Sequence, residues 1–357
     1  MGLTERIRER RYLTKKSLLV LLSGISVYFI FLFFYTDVSA IMGALQSANL
    51  GLYALAFGAA FANMVFHSLT WWNILDHLKI KSTFRNIFSF MWIGQMVDIL
   101  VPAESVSGEV ARVYLMNRSL NGAGARSVNN STGRIVTSIL SHRIIYTGIS
   151  LLGLIGSSIL FTLNYGVSQP LASLIVVMIF GASFSFLLLA LVSFRKTLAW
   201  RVVNALLRFL GYVTRGRLDL DDLTPKARSV LDAFHEGFHL LRNRSWTLCI
   251  PVGFSVMAWL LNLSITYFAL VALNVDVPLS AMIVVFSIID ALHTIPVGIP
   301  GEVGVIEIAM TTLYTALGVL PAVSATITIL VRIVTMWFKL LVGIPTIHYV
   351  STSTSSK

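Results

Sequence analysis

Residues 296–310 read PVGIPGEVGVIEIAM, and residues 101–116 read VPAESVSGEVARVYLM. Both carry the pattern P-x-E-x4-E, as Pro300, Glu302 and Glu307 and as Pro102, Glu104 and Glu109. Each lies inside an otherwise apolar stretch, at 279–318 and 86–116, and interrupts it near the middle. Proline removes a backbone donor and glycine relaxes the chain, so both stretches predict helices that stop within the apolar run and restart. How the chain passes these two breaks decides the fold.

Everything around them is apolar. The chain has 357 residues, 56% hydrophobic and 12% charged, against about 25% charged in a soluble domain. Uninterrupted apolar runs at 17–36, 49–75, 134–163, 171–194, 245–274 and 322–350 reach the roughly 20 residues that a helix needs to cross a bilayer. The runs are continuous and not alternating, which excludes a transmembrane barrel. The fold class is therefore all-α, a polytopic membrane helical bundle of about six full spans plus two broken or re-entrant hairpins. The first 16 residues carry six Lys or Arg. The apolar run after them is long for a signal peptide, although Val38-Ser39-Ala40 resembles a cleavage site, and it reads as an uncleaved first span.

Basic residues sort by side. Residues 1–16, 76–85, 117–134 and 195–244 hold the Lys and Arg clusters, whereas 37–50, 164–170 and 275–278 hold none. The excess of Lys and Arg in cytoplasmic loops then places both termini in the cytoplasm of a multi-pass cell-membrane protein. The net charge of +11 belongs to these loops and does not point to nucleic acid. With this topology the hairpin at 86–116 enters from the cytoplasm and the hairpin at 279–318 from outside. Two similar hairpins of opposite sidedness predict an inverted repeat, 1–163 with 86–116 and 245–350 with 279–318, within a single membrane domain over 1–357. Between the halves, 195–244 forms a cytoplasmic amphipathic insert. In it, Arg201, Asn204, Arg208, Gly211 and Arg215 make the polar stripe of a helix in the headgroup plane. Thr224 and Pro225 open a second helix whose apolar face, Phe234, Phe238 and Leu241, would dock on the membrane.

Six of the sixteen acidic residues fall in the two broken regions: Asp98, Glu104, Glu109, Asp290, Glu302 and Glu307. A charge in hydrocarbon costs at least about 2.5–3.5 kcal/mol, so such acids face a wet cavity or a base. Arg112, Arg134, Arg143, Arg332 and Lys339 are candidate bases, and Arg112 shares a helical face with Glu109. The bland alternative is structural: a first-turn glutamate complements the helix dipole, and Glu109 with Arg112 is an ordinary ion pair. Two half-helix N-termini facing one cavity would bind an anion such as a lipid phosphate. His67, His142 and His293 read as packed or hydrogen-bonded, and Trp71 and Trp72 as an interfacial belt.

A competing motif is His235-Glu236-Gly237-Phe238-His239, which fits H-E-x-x-H and raises an intramembrane zinc enzyme. No acid or histidine follows it until Asp276 and His293, so a third ligand is lacking and no metal is expected. No phosphate-binding loop of the G-x-x-x-x-G-K-[ST] type occurs, the single cysteine excludes an internal disulfide, and no catalytic residues or cofactors are assigned.

PAESVSGEVAR at 102–112, Arg143, PGEVGVIE at 300–307 and Arg332 together resemble the lysylphosphatidylglycerol synthase transmembrane region family, from about residue 18 to residue 350. The resemblance implies a module that moves lipids across the membrane, here standing alone without a synthase domain. Family members carry Glu-Arg where this chain has His142-Arg143, and Gly where it has Glu302, so substrate identity does not carry over. The expectation is a non-enzymatic flippase or scramblase for an anionic or aminoacylated phospholipid, or a polyprenyl-phosphate-linked lipid. Its translocation path would hold Asp98, Pro102, Glu104, Glu109, Arg112, Arg143, Asp290, Pro300, Glu302, Glu307 and Arg332. Membrane lipids are the expected partners, with a separate lipid synthase or glycosyltransferase and a second copy of the chain as further ones. A lipid-binding subunit that does not transport is the third reading.

Overall fold

A computed structural model describes residues 26, 30–31, 33–34, 38–101, 106–122, 128–165, 169–213, 220–243, 245–293 and 298–355. Among these no strand occurs. The α-helices are α1 (Val38–Ser47), α2 (Leu50–His77), α3 (Phe84–Leu100), α4 (Ser107–Gly122), α5 (Val128–Tyr165), α6 (Gln169–Phe194), α7 (Lys196–Val213) and α8 (Leu220–Asn243). They continue with α9 (Cys249–Ala272), α10 (Leu279–Leu292), α11 (Val305–Ala316), α12 (Pro321–Arg332) and α13 (Phe338–Ser355). The protein is an all-α polytopic membrane bundle. Five helices among the described residues are long and apolar enough to cross a bilayer, at Leu50–His77, Ser131–Asn164, Ala172–Phe194, Cys249–Ala272 and Pro321–Val350. Most of the expected first span, 17–36, lies outside the described residues.

The two broken regions fold as their punctuation predicts. α3 and α4 have 17 and 16 residues, and α10 and α11 have 14 and 12. At 1.5 Å per residue these are roughly 18–26 Å long, short of the roughly 30 Å of hydrocarbon. α3 and α4 run antiparallel and nearly touch where Gly108 faces Asp98 and the Gly94 carbonyl. A side chain at Gly108 would occupy the space of both. In the second hairpin the turn between α10 and α11 carries Gly301, Glu302 and Gly304 at φ +59°, +50° and +91°. The two tips meet: Gly301 packs on Ile99, and Ile99, Val303 and Met336 form a small buried cluster.

Around the hairpins the bundle packs through small residues. Ala56, Ala59 and Ala60 of α2 and Ala258, Ala269 and Ala272 of α9 are buried, and such residues let helix axes approach in lipid, where burial of apolar surface supplies no drive. Asn63 donates to the Ala258 carbonyl at 2.7 Å, and Tyr53 donates to the Leu330 carbonyl at 2.8 Å, which ties α2 to α9 and α12. α12 passes into α13 through one π-helical turn, Ile333–Trp337, directly after Arg332.

The insert departs from the sequence reading. α8 begins at Leu220, so Pro225 falls in its second turn and is not its first residue. Its apolar face docks on protein and not on lipid: Phe234 and Leu241 are buried, Gly133 of α5 sits against Ala233, and Thr137 donates to the Phe234 carbonyl at 2.8 Å. α7 joins the same layer through Ala199, which packs with Leu231 and Phe234. Trp71 is also no interfacial residue. It is fully buried with its indole donating to Ser138 at 2.9 Å, while Trp72 stays 40% exposed.

Candidate functional site

Between the hairpin tips and α2, α5, α9 and α12–α13 lies a cavity of about 260 Å³. Its wall gathers residues spread over nearly three hundred positions: Asp98, Glu109, Arg112, Arg143, Asp290 and Arg332 all line it. Glu307 stands directly behind Arg332, and Pro300 and Glu302 are buried in the second tip. Pro102 and Glu104 lie outside the described residues. Sequence reasoning set His67, His142 and His293 aside as packed or hydrogen-bonded, and did not single out Tyr146 or Asn262; all five line the cavity, as does Lys339.

The five described carboxylates of these regions all contact protein partners. Glu109 pairs with Arg143 of the following helix at 2.8 Å, and not with Arg112 one turn away. Glu307 pairs with Arg332 of the following helix at 2.5 Å, so the last glutamate of each motif meets an arginine on the next helix. The second Glu307 oxygen accepts from the Gly304 amide at 2.7 Å, which caps α11. Asp98 accepts from the Gly108 amide at 2.7 Å and from Ser107 at 3.0 Å, which caps α4. Thus one amide at the start of each half-helix is satisfied from within by a carboxylate, which leaves only the remaining first-turn amides to an external anion. Glu302, wholly buried, meets His293 at 2.7 Å. Its left-handed backbone is the conformation glycine adopts at least cost, so a glutamate here carries strain that its buried position must hold.

Arg112 is different. Its guanidinium is buried, yet Nε donates to the Gly108 carbonyl at a long 3.3 Å, Nη1 reaches only the Met91 sulfur at 3.4 Å, and the Trp71 ring lies 5.9 Å away. Among the described residues no carboxylate comes within ion-pair distance of it. Asp98 and Glu109 act on it only from beyond that distance, so this buried cation is incompletely balanced and lines a cavity open to a further anion. Arg332 also faces the cavity, with Nη2 held by the Gly301 carbonyl at 2.5 Å and the Met336 sulfur at 3.2 Å. Lys339 donates to Gln95 at 3.2 Å. On the opposite wall Asp290 accepts from Tyr146 at 3.5 Å and from Ser150, and Asn262 donates to Tyr146 at 3.3 Å. His67 Nδ1 and His142 Nε2 lie 3.1 Å apart beside Tyr146.

The H-E-x-x-H element lies outside this cavity. Glu236 pairs with Arg134 at 3.0 Å, and His235 donates to the Leu231 carbonyl at 2.9 Å. Among the described residues no three His, Cys, Asp or Glu side chains are grouped to hold a metal ion.

Similar proteins extend along most of the chain. A UPF0104 membrane protein of Methanothermobacter thermautotrophicus is 23% identical over 315 residues, covering 88% of this chain and 90% of that protein. UPF0104 membrane proteins of Pyrococcus horikoshii and Methanocaldococcus jannaschii are 21% and 23% identical over 336 and 343 residues, covering 92% and 93% of this chain and 95% and 94% of theirs. The family described as the lysylphosphatidylglycerol synthase TM region matches residues 18–343, a span that holds both hairpins and the whole cavity wall, and the chain belongs to that family.

Proposed function

We propose that the cavity carries the headgroup of a phosphate-bearing lipid across the bilayer, so that the protein acts as a flippase or scramblase and not as an enzyme. The observation that supports this reading most directly is Arg112, a buried guanidinium that no carboxylate among the described residues contacts. A phosphate supplies a charge in direct contact and matches the planar donor set of a guanidinium. The volume supports a headgroup: about 260 Å³ falls below the roughly 300–1,000 Å³ that encloses a drug-sized ligand, so the acyl chains stay in the surrounding lipid. Asp290, on the facing wall with its two hydroxyl partners, complements the cationic part of an aminoacylated or zwitterionic headgroup.

The two hairpins enter from opposite faces in this reading, with both termini in the cytoplasm of a cell membrane. The alternation of basic loops supports it, as do the matched pairs Glu109–Arg143 and Glu307–Arg332. The test is translocation of acyl-labelled phospholipids in proteoliposomes. Arg112→Gln that folds as the parent does is expected to lose at least about tenfold in rate, the loss of one charge-assisted hydrogen bond. Parental rates in that variant overturn the proposal. Lipid binding without movement in the parent identifies a lipid-binding subunit instead.

A further inference from the structure

Asp290 belongs to two cavities. Beyond the headgroup cavity, where α5, α6 and α10 meet, lies a second one of about 40 Å³, and Asp290, Tyr146 and Thr147 line both. The remaining polar wall of the small cavity is made of hydroxyls, Ser150 from α5, Ser287 from α10 and Ser185 from the exposed side on α6. About 10–15 Å³ holds one water, so the space admits a small ion together with a water or two.

Ser287 leaves an unmet hydrogen-bonding requirement at this space. It is 1% exposed, yet its Oγ has no hydrogen-bond partner. Ser68, Ser158 and Ser193, also buried in helices, satisfy themselves by donating to the carbonyl one turn back, whereas Ser141 shares with Ser287 the lack of a partner but does not line this cavity. Ser287 stands three residues before Asp290 on one face of α10, and the Asp290 carboxylate reaches the same space through its bond to Ser150. Lys339 and His293 line the headgroup cavity and not this one.

The side-chain donors are all oxygens, with one carboxylate and no nitrogen or sulfur, which selects a hard cation. A single carboxylate balances a single charge, whereas a divalent ion leaves a buried positive excess. We propose that Asp290, Ser150, Ser287 and Ser185 bind a monovalent hard cation of the sodium type. An ion there neutralises the carboxylate that also faces the headgroup cavity, so ion and headgroup occupancy are linked and each alters the affinity of the other by the same factor.

The ion site is tested in detergent without any lipid movement, so its failure is distinct from failure of the transport reading. Thermal unfolding of the purified full chain is measured in NaCl, KCl and choline chloride at equal ionic strength. Sodium is expected to raise the apparent melting temperature with a saturating dose dependence. Ser287→Ala is expected to raise the half-saturating sodium concentration by about tenfold, as loss of one ligand oxygen to a charge requires. Asp290→Asn is expected to abolish the effect, and Ser150→Ala replaces it as the probe if that variant does not fold. Equal melting in all three salts, melting that follows pH but not sodium, or an unchanged sodium midpoint in Ser287→Ala each overturn the proposal.

Discussion

The pair between Glu307 and Arg332 makes the most stringent prediction about what holds the second hairpin. Both side chains are under one-tenth exposed, at 6% and 8%, and their atoms are 2.5 Å apart. Removing one partner from such a buried pair costs about 3–5 kcal/mol, because the other charge remains without compensation. Glu307 also caps α11 through the Gly304 amide, which adds about 1 kcal/mol. Glu307→Gln keeps an oxygen for the amide and loses only the charge, about 3–5 kcal/mol, and Glu307→Ala loses both, about 4–6 kcal/mol. Arg332→Leu strands the carboxylate and costs a similar amount. The double variant Glu307→Gln with Arg332→Leu leaves no unpaired charge and is expected to return to within about 2 kcal/mol of the parent. At roughly 2 °C per kcal/mol the single variants melt about 6–12 °C below the parent, with Glu307→Ala lowest, and the double variant recovers most of that. Differential scanning fluorimetry of detergent-solubilised protein reads all four. The reasoning fails if either single variant melts within about a degree of the parent, or if the two losses simply add, since partners in one pair must couple. Because Arg332 faces the cavity, the recovered double variant is still expected to move lipid slowly.

Arg112 predicts the opposite stability pattern: Arg112→Met removes a buried cation that has no carboxylate partner, so its melting temperature is expected to equal or exceed the parent's while translocation falls. Gly108→Ala forces a methyl group onto Asp98 and the Gly94 carbonyl and is expected to cost about 1–3 kcal/mol by melting, whereas Gly156→Ala, with open space around it in α5, is expected to be neutral or stabilising by up to about 1 kcal/mol. Glu236 is 53% exposed in its pair with Arg134, so Glu236→Gln is expected to change stability by less than about 1 kcal/mol, with translocation and zinc content measured as parental.

The membrane class, five of the six expected spans and the two interruptions were legible in the order of residues, because each rests on local physics. Transfer of about 20 apolar residues sets a span, and Pro300, Gly301 and Gly304 set where a helix must stop. Six of the eleven positions expected on the path, Asp98, Glu109, Arg112, Arg143, Asp290 and Arg332, line the cavity, since a carboxylate or guanidinium inside an apolar run has few places to be. What did not follow was who meets whom. Helical spacing offered Arg112 to Glu109, and the fold gave Glu109 to Arg143 thirty-four residues on, leaving Arg112 as the open cation. Trp71 passed for an interfacial residue and is buried beneath that arginine. Phe234 and Leu241 looked lipid-bound and pack on α5 through Gly133 and Thr137. Sequence alone determined which segments are long and apolar enough to cross the bilayer, whereas the tertiary structure decided the rotation of each helix about its axis. A span that is apolar on every side has no stripe to fix that rotation, so it is set by small residues and polar contacts on neighbouring helices, distant in the chain.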